Sequence, residues 1–136
     1  MGRQPGHVVS PGEVRWIELP ALGGHEQAGH RPGVVLQDDA KTPGLPTVLV
    51  VPVTSAQLAA RFPATMVVEP SAENGLTRAS VVLAFQLRAV DRRRIGALLG
   101  TLPGPEVSQL VSLVDTLMGA PRVDAGEQAG GAATDS

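Results

Sequence analysis

The chain has no cysteine and no tyrosine, and its 136 residues include one tryptophan, two phenylalanines and three histidines. Without cysteine there is no disulfide, no thiolate nucleophile and no cysteine-ligated zinc, so any chemistry must come from oxygen, nitrogen or guanidinium groups. With so few rings there is little on which a nucleobase could stack, and a grip on nucleic acid would lean on arginines and backbone groups. No apolar run is long enough to span a bilayer, and the opening MGRQPGHVVSPGE lacks the basic-then-apolar order of a secretory leader. A cytoplasmic protein with no membrane segment is expected. A surplus of either charge is also lacking: the formal net charge is -2. Removing Arg122, Asp124, Glu127 and Asp135 from the totals of 11 basic and 13 acidic residues leaves ten of each sign before residue 120. A neutral body leaves room for a local basic surface, for which Arg88, Arg92, Arg93 and Arg94 are candidates; the plainer reading is a solvated, arginine-rich turn.

What is present suits one small domain, since 43% of the residues are apolar. GEVRWIEL (12–19) alternates imperfectly with period two, and RPGVVLQ (31–37), TVLVVPVT (47–54) and ATMVVE (64–69) are β-branched runs between Pro, Gly, Asn and Asp clusters, so each reads as a strand. RASVVLAFQLRAV (78–90) is longer and reads as a bent strand, with helix as the alternative. Pro52 cannot donate to a ladder, so its strand must end, bulge or lie at an edge there, which leaves Thr54 at a strand end. In PEVSQLVSLVDTLMG, Val107, Leu110, Val111, Val114, Leu117 and Met118 fall at helical spacing, with Pro105 near the start and Gly119 just past the end. Residues 1–10 read as an extension, and 120–136, almost without large apolar side chains, as a disordered tail. Close-spaced strands followed by one helix predict a mainly β fold, a small twisted sheet or partly open barrel.

The densest chemistry lies in GGHEQAGHRPGVVL (23–36), which sets His25, Glu26, His30 and Arg31 among glycines and then turns apolar. Glycines permit tight geometry, and the polar groups between them need solvent or a ligand. The spacing is not that of HExxH, and no histidine follows Arg31 to complete a metal site or serve a nucleophilic serine, so no metal and no other cofactor is expected. His25 and His30 could equally hydrogen-bond loop carbonyls, and His7 has no partner in the pattern.

GEVRWIEL, then HEQAGHRPGVVL with EQAGHRP as its specific part, then VLVVPVTS, then VDRRRIG resembles, in that order, the MazF/PemK-like toxin endoribonucleases of bacterial toxin–antitoxin systems. The resemblance covers residues 11 to 119. It departs at Phe85, a position often polar in relatives, where RNA contacts would be altered, and in the long tail. It implies an SH3-like small barrel with a C-terminal helix, a homodimer, and cleavage of single-stranded RNA at short sequences without a metal. It carries over Arg31 and Thr54 as the catalytic pair, with Glu26 and His30 in support; Gln27, Ser55 and Arg88 are the further candidates for RNA contact. Loops 38–46 and 55–63 are expected to shape the recognised sequence. A toxin of the same barrel that binds an enzyme such as gyrase, or a barrel that only binds RNA, would need no Arg31 beside Thr54.

These residue types suit the implied chemistry. A ribose 2′-hydroxyl that attacks its own phosphate loads negative charge on phosphorus, and a guanidinium matches phosphate oxygens with a planar fork of donors. Thr54 adds a neutral donor. Glu26 is the candidate general base, although a neighbouring Arg31 would hold its pKa low, and its other role is to orient Arg31. The partners implied are RNA, a second copy of the chain and a small MazE-like antitoxin whose flexible segment mixes acidic and large apolar side chains. One consequence concerns the tail: deleting residues 122–136 leaves the unfolding temperature and RNA cleavage unchanged, and a drop in the melting transition would reject that reading.

Overall fold

The computed structural model describes residues 8–21, 23–24 and 27–119. They form β1 Glu13–Leu19, β2 Gly29–Val35, β3 Thr47–Thr54, β4 Thr65–Val68, β5 Ser80–Leu83, β6 Arg88–Asp91, β7 Ile95–Thr101 and α1 Gly104–Met118. The antiparallel sheet runs β4-β5-β3-β2-β1-β7, with β6 also paired to β3. It curls in the manner of a small barrel without closing, because its ends β4 and β7 are not joined. No helix among the described residues is long and apolar enough to cross a membrane. The readings placed on residues 1–7 and 120–136 lie outside the described residues.

β3 organises the sheet. Val48 and Val50 belong to one core cluster, with Ile17, Leu19, Val35, Val90 and Ile95. Val51 and Val53 point the other way into a second, with Val14, Val34, Met66, Val68, Val82, Leu110 and Val114. A strand buried on both faces reads as a near-continuous apolar run, which is why TVLVVPVT shows no clean alternation. Pro52 is tolerated because of a change of partner. Leu49 accepts a hydrogen bond from Leu36 of the β2 segment, so by alternation the amide position of Pro52 faces the opposite side. On that side pairing passes from β6, which ends at Val50, to β5, which begins at Val53.

Two sequence expectations need correction. Residues 78–90 are not one bent strand: β5 ends at Leu83, Ala84–Gln86 form a 3-10 turn and β6 starts at Arg88. The turn is closed by the Leu87 amide donating to Ala84, and it carries the chain from one partner segment of β3 to the other. β7 was not foreseen. Its IGALLGT has glycines where backbones meet: a β-carbon on Gly96 would lie 2.9 Å from the Trp16 carbonyl, and one on Gly100 would collide with the Glu73 carbonyl.

α1 begins with Pro105 in its first turn and ends on Gly119 at φ 69°, the left-handed cap that glycine supplies. Its buried seam is narrower than the sequence suggests. Leu110 and Val114 are buried and Val107 and Leu113 half-buried, while Val111, Leu117 and Met118 are exposed. Val111 and Met118 lie about 80–100° around the helix from Leu110, and Leu117 extends past the covered length. Within the strands, Val48, Val50, Val51, Val53, Val81, Val82 and Leu83 are buried within the monomer, while Leu49 is exposed.

The arginine-rich turn is tied down by its own acids. Arg92 forms a two-pronged pair with Asp39, Nη1 to Oδ2 at 2.7 Å and Nη2 to Oδ1 at 3.0 Å, and its Nε donates to the Leu45 carbonyl. Asp39 Oδ2 also accepts from the Val9 amide at 2.9 Å. Arg93 pairs with Asp91 at 3.0 Å. Asp39 therefore joins the N-terminal segment, the β2–β3 loop and the turn after β6. The side-chain hydrogen bond from Arg92 leads the effects that hold its carboxyl at about 2, below the ordinary 3.8. A carboxyl whose folded pKa is depressed contributes stability above its unfolded pKa and loses it as pH falls through the folded value. Asp39→Asn should thus cost about 3 kcal/mol in denaturant unfolding at neutral pH. The gap between variant and wild type should close between about pH 4 and about pH 2; an undiminished gap at low pH would show that the carboxylate charge is not its source.

Candidate functional site

The β2–β3 ladder pairs Gly33 with Pro52, Val34 with Val51 and Val35 with Val50. Two residues beyond the Gly33–Pro52 end of that ladder stand Arg31 on β2 and Thr54 on β3. Strand pairing has stopped there, β2 continuing toward β1 and β3 toward β5, and the opened end is a cavity of about 200 Å³ lined by His30, Arg31, Thr54, Ser55, Arg78 and Ser80, among others. Arg31 is half-buried, and its Nε donates to the Ala28 carbonyl at 2.7 Å. That bond fixes the stem, while among the described residues no acceptor meets its terminal nitrogens. Thr54 is buried, and its Oγ1 accepts from the Ala56 amide at 3.2 Å, so the hydroxyl proton remains to donate.

The far wall comes from the segment between β4 and β5. Buried Asn74 folds it: Oδ1 accepts from the Ser71 and Leu76 amides, and Nδ2 donates to the Glu69 carbonyl. This sets Gly75, Leu76, Thr77 and Arg78 along the cavity. Arg78 and Thr77 were missed in the sequence, where neither has a local signature; only the folded loop brings them opposite Arg31. At the rim, exposed His30 stacks on Trp16 with ring centroids 4.7 Å apart, and its Nδ1 lies 3.8 Å from Glu18.

A second cavity, of about 360 Å³, is lined by Gln27, Ala59, Arg61, Phe62, Leu83, Phe85 and Gln86. Gln86 Oε1 accepts from the Gln27 amide at 2.8 Å. Arg88 donates to the carbonyls of Gln27 and Pro20, both at 3.3 Å, and so clamps the two ends of the β1–β2 connection. The candidate RNA-contacting residues are thus divided: His30 and Ser55 line the first cavity, Gln27 the second, and Arg88 holds the loop without lining either. Arg92, Arg93 and Arg94 line neither. Glu26 and His25 lie outside the described residues.

Known proteins of similar sequence and fold identify the family. Residues 10–118 match the family described as PemK-like, MazF-like toxin of type II toxin-antitoxin system. The chain is 31% identical over 108 residues to endoribonuclease MazF of Staphylococcus saprophyticus, covering 79% of this chain and 89% of that one. The crystal structure of MazF from Deinococcus radiodurans superposes with a TM-score of 0.69 at 28% identity, over 84% of this chain and 99% of that one. A MazE–MazF structure from the same organism superposes with a TM-score of 0.64 at 29% identity, over 85% and 99% of the two chains. An open antiparallel sheet with a C-terminal helix, an arginine and a threonine lining one cavity where two strands part, and a family match over nearly all of the described residues lead to one conclusion: the chain belongs to the PemK-like, MazF-like toxins of type II toxin–antitoxin systems.

Proposed function

We propose that this toxin endoribonuclease cuts single-stranded RNA in the first cavity, with the scissile phosphate between Arg31 and Thr54. The observation that carries the reading is that both line one cavity at the opened end of β2 and β3, which also presents Arg78. A 2′-hydroxyl attacks the adjacent phosphorus, the bond from phosphorus to the 5′ oxygen breaks, and a 2′,3′-cyclic phosphate and a 5′-hydroxyl result. The 2′ proton passes to a base, for which Glu26 is the candidate, and the leaving oxygen takes up a proton. Arg31, its stem fixed by Ala28, offers its fork to the non-bridging oxygens and tightens as their charge grows. A guanidinium is too weak an acid to give up its proton readily, so its role is charge stabilisation. Thr54 donates one hydrogen bond from a buried and therefore preorganised position.

A cavity built for phosphate also welcomes carboxylates. The MazE–MazF structure of the Deinococcus relative supports an antitoxin as partner, and for this chain we take it to be a flexible acidic and apolar segment that competes with RNA. A homodimer would cover part of the exposed apolar surface, in which Leu98, Val111, Leu117 and Met118 stand out. Sedimentation checks this, and a monomer that cuts RNA at full rate would remove it.

End-labelled RNA incubated with the pure protein in EDTA tests the cleavage. Products whose 5′ ends accept phosphate from polynucleotide kinase without prior phosphatase treatment are expected. Arg31→Ala should abolish cutting, and Arg31→Lys should stay badly impaired because an ammonium cannot present the fork; full activity in either variant would reject Arg31. Thr54→Val should slow the reaction roughly ten- to a hundredfold, with Thr54→Ser close to wild type. An unchanged rate in Thr54→Val would make Thr54 structural.

A further inference from the structure

The reaction just derived gives Arg78 no role, although its side chain lines the same cavity as Arg31 and Thr54. Arg78 is exposed, where Arg31 is half-buried and Thr54 buried, so it stands at the open side of the cavity and they stand within it. Among the described residues no carboxylate and no hydrogen-bond acceptor meets its guanidinium. The backbone beneath it, in contrast, is held at several points. The Thr101 amide donates to the Glu73 carbonyl at 2.8 Å, and a β-carbon on Gly75 would collide with the Leu99 carbonyl, so the Asn74 turn lies hard against β7. Buried Ser80 donates its hydroxyl to the Arg78 carbonyl at 2.8 Å. A long cationic side chain on a fixed stem, with its charge uncompensated, is a ready contact for a polyanion.

One further side chain ties the two walls of the cavity together. Gln57 Nε2 donates to the Ser55 carbonyl at 3.2 Å and to the Ala79 carbonyl at 2.8 Å. Ser55 follows Thr54 and Ala79 follows Arg78, so a single amide group joins the strand end that carries the threonine to the segment that carries the second arginine. The exposure of Arg78 decides what that arginine can do. A charge held in water acts through a high dielectric and is screened by salt, so it adds little to the stabilisation of charge that grows only in the transition state. It attracts a phosphate equally before and during the reaction, which is uniform binding. We infer that Arg78 binds a phosphate of the RNA strand next to the scissile one and anchors the strand across the cavity, and that Gln57 is the positioning residue that sets Arg78 at its distance from Thr54.

This rests on the cleavage site proposed above, and the test separates the two. The whole chain is assayed for steady-state cleavage, in EDTA, of a short RNA that contains one cut site. Binding is measured over a range of salt with a mixed-sequence 2′-O-methyl RNA 20-mer, which lacks the attacking hydroxyl. Arg78→Ala should raise KM and Kd about three- to tenfold at low salt while kcat stays within about twofold. It should also flatten the slope of log Kd against log salt by about 0.7, one phosphate contact on a single strand. Arg78→Lys should restore most of the affinity and the full slope, because an exposed phosphate accepts a point charge. Gln57→Ala should raise KM and Kd about two- to fivefold and cost little more when combined with Arg78→Ala.

A fall in kcat with KM unchanged in Arg78→Ala would overturn the proposal, since it would place Arg78 on the scissile phosphate. A salt slope that Arg78→Ala leaves unmoved, or equal losses in the alanine and lysine variants, would overturn it as well. Fully additive effects of Gln57→Ala and Arg78→Ala would reject Gln57 as the positioning residue. If Arg78→Ala weakened only an acidic, leucine-rich peptide and left RNA binding unchanged, the residue would be an antitoxin contact and the inference wrong. A wild type that binds the 20-mer through Arg78 but cuts no RNA in EDTA would sink the cleavage reading and leave the anchor standing.

Discussion

The structure depends on β3 serving three partners along eight residues. Thr47 to Val50 pair with β6 on one side while Val50 to Pro52 pair with β2 on the other, and Val53 and Thr54 pair with β5. A single residue without an amide proton stands where one partner gives way to the next. Any other residue at 52 would present a donor in the gap between β6 and β5, where a buried unpaired donor is costly. The same handover makes the strands part. β2 leaves the ladder at Gly33, β3 runs on with β5, and the space between them is the cavity with Arg31 on one lip and Thr54 on the other. The site is a consequence of how β3 is shared.

That arrangement needs a core of small, stiff side chains. β3 is covered on both faces, and the two clusters it separates are made of Val, Leu, Ile, Met and Ala. β-Branched residues lose little on entering a strand and pack closely where two layers lie near one another. Rings would separate the layers. The few aromatic side chains are therefore found at the surface, Trp16 against His30 at the rim of one cavity and Phe62 near Phe85 in the other. The scarcity of rings in the sequence reflects a core that excludes them.

The sequence made some of this legible for physical reasons. β1 to β4 were readable because β-branched runs lie between turn-forming clusters, and α1 because a Pro and a Gly bracket its apolar period. Residues 78–90 misled because Ala84–Gln86 contain nothing that forbids a strand; the break arises from the need to pass from one partner of β3 to the other, a tertiary requirement. β7 was hidden by Gly96 and Gly100, which weaken a strand pattern but are required by close backbone approaches. Arg31 and Thr54 were singled out through the resemblance carried by EQAGHRP and VLVVPVTS; pattern alone set Arg31 in a glycine-rich polar stretch and Thr54 at a strand end beyond Pro52. Arg78 could not be singled out, since its position depends on the Asn74 turn.

Charge shows the same division between local pattern and folded placement. The body is neutral in sum, but its arginines are not equivalent. Arg15 is paired with Glu13, Arg92 with Asp39 and Arg93 with Asp91. Arg88 is engaged by two loop carbonyls. The run of three arginines that looked like a basic surface is thus largely neutralised by neighbouring acids. Arg31, Arg61 and Arg78 have no carboxylate partner among the described residues, and all three line the cavities. A neutral protein can attract a polyanion when its acids are placed against the cations that hold the fold together, because the field near a cavity follows the charges left uncompensated there. In this chain the pairing of Asp39 with Arg92 fastens three segments of the fold, while the arginines that line the cavities, Arg31, Arg61 and Arg78, have no acid against them among the described residues.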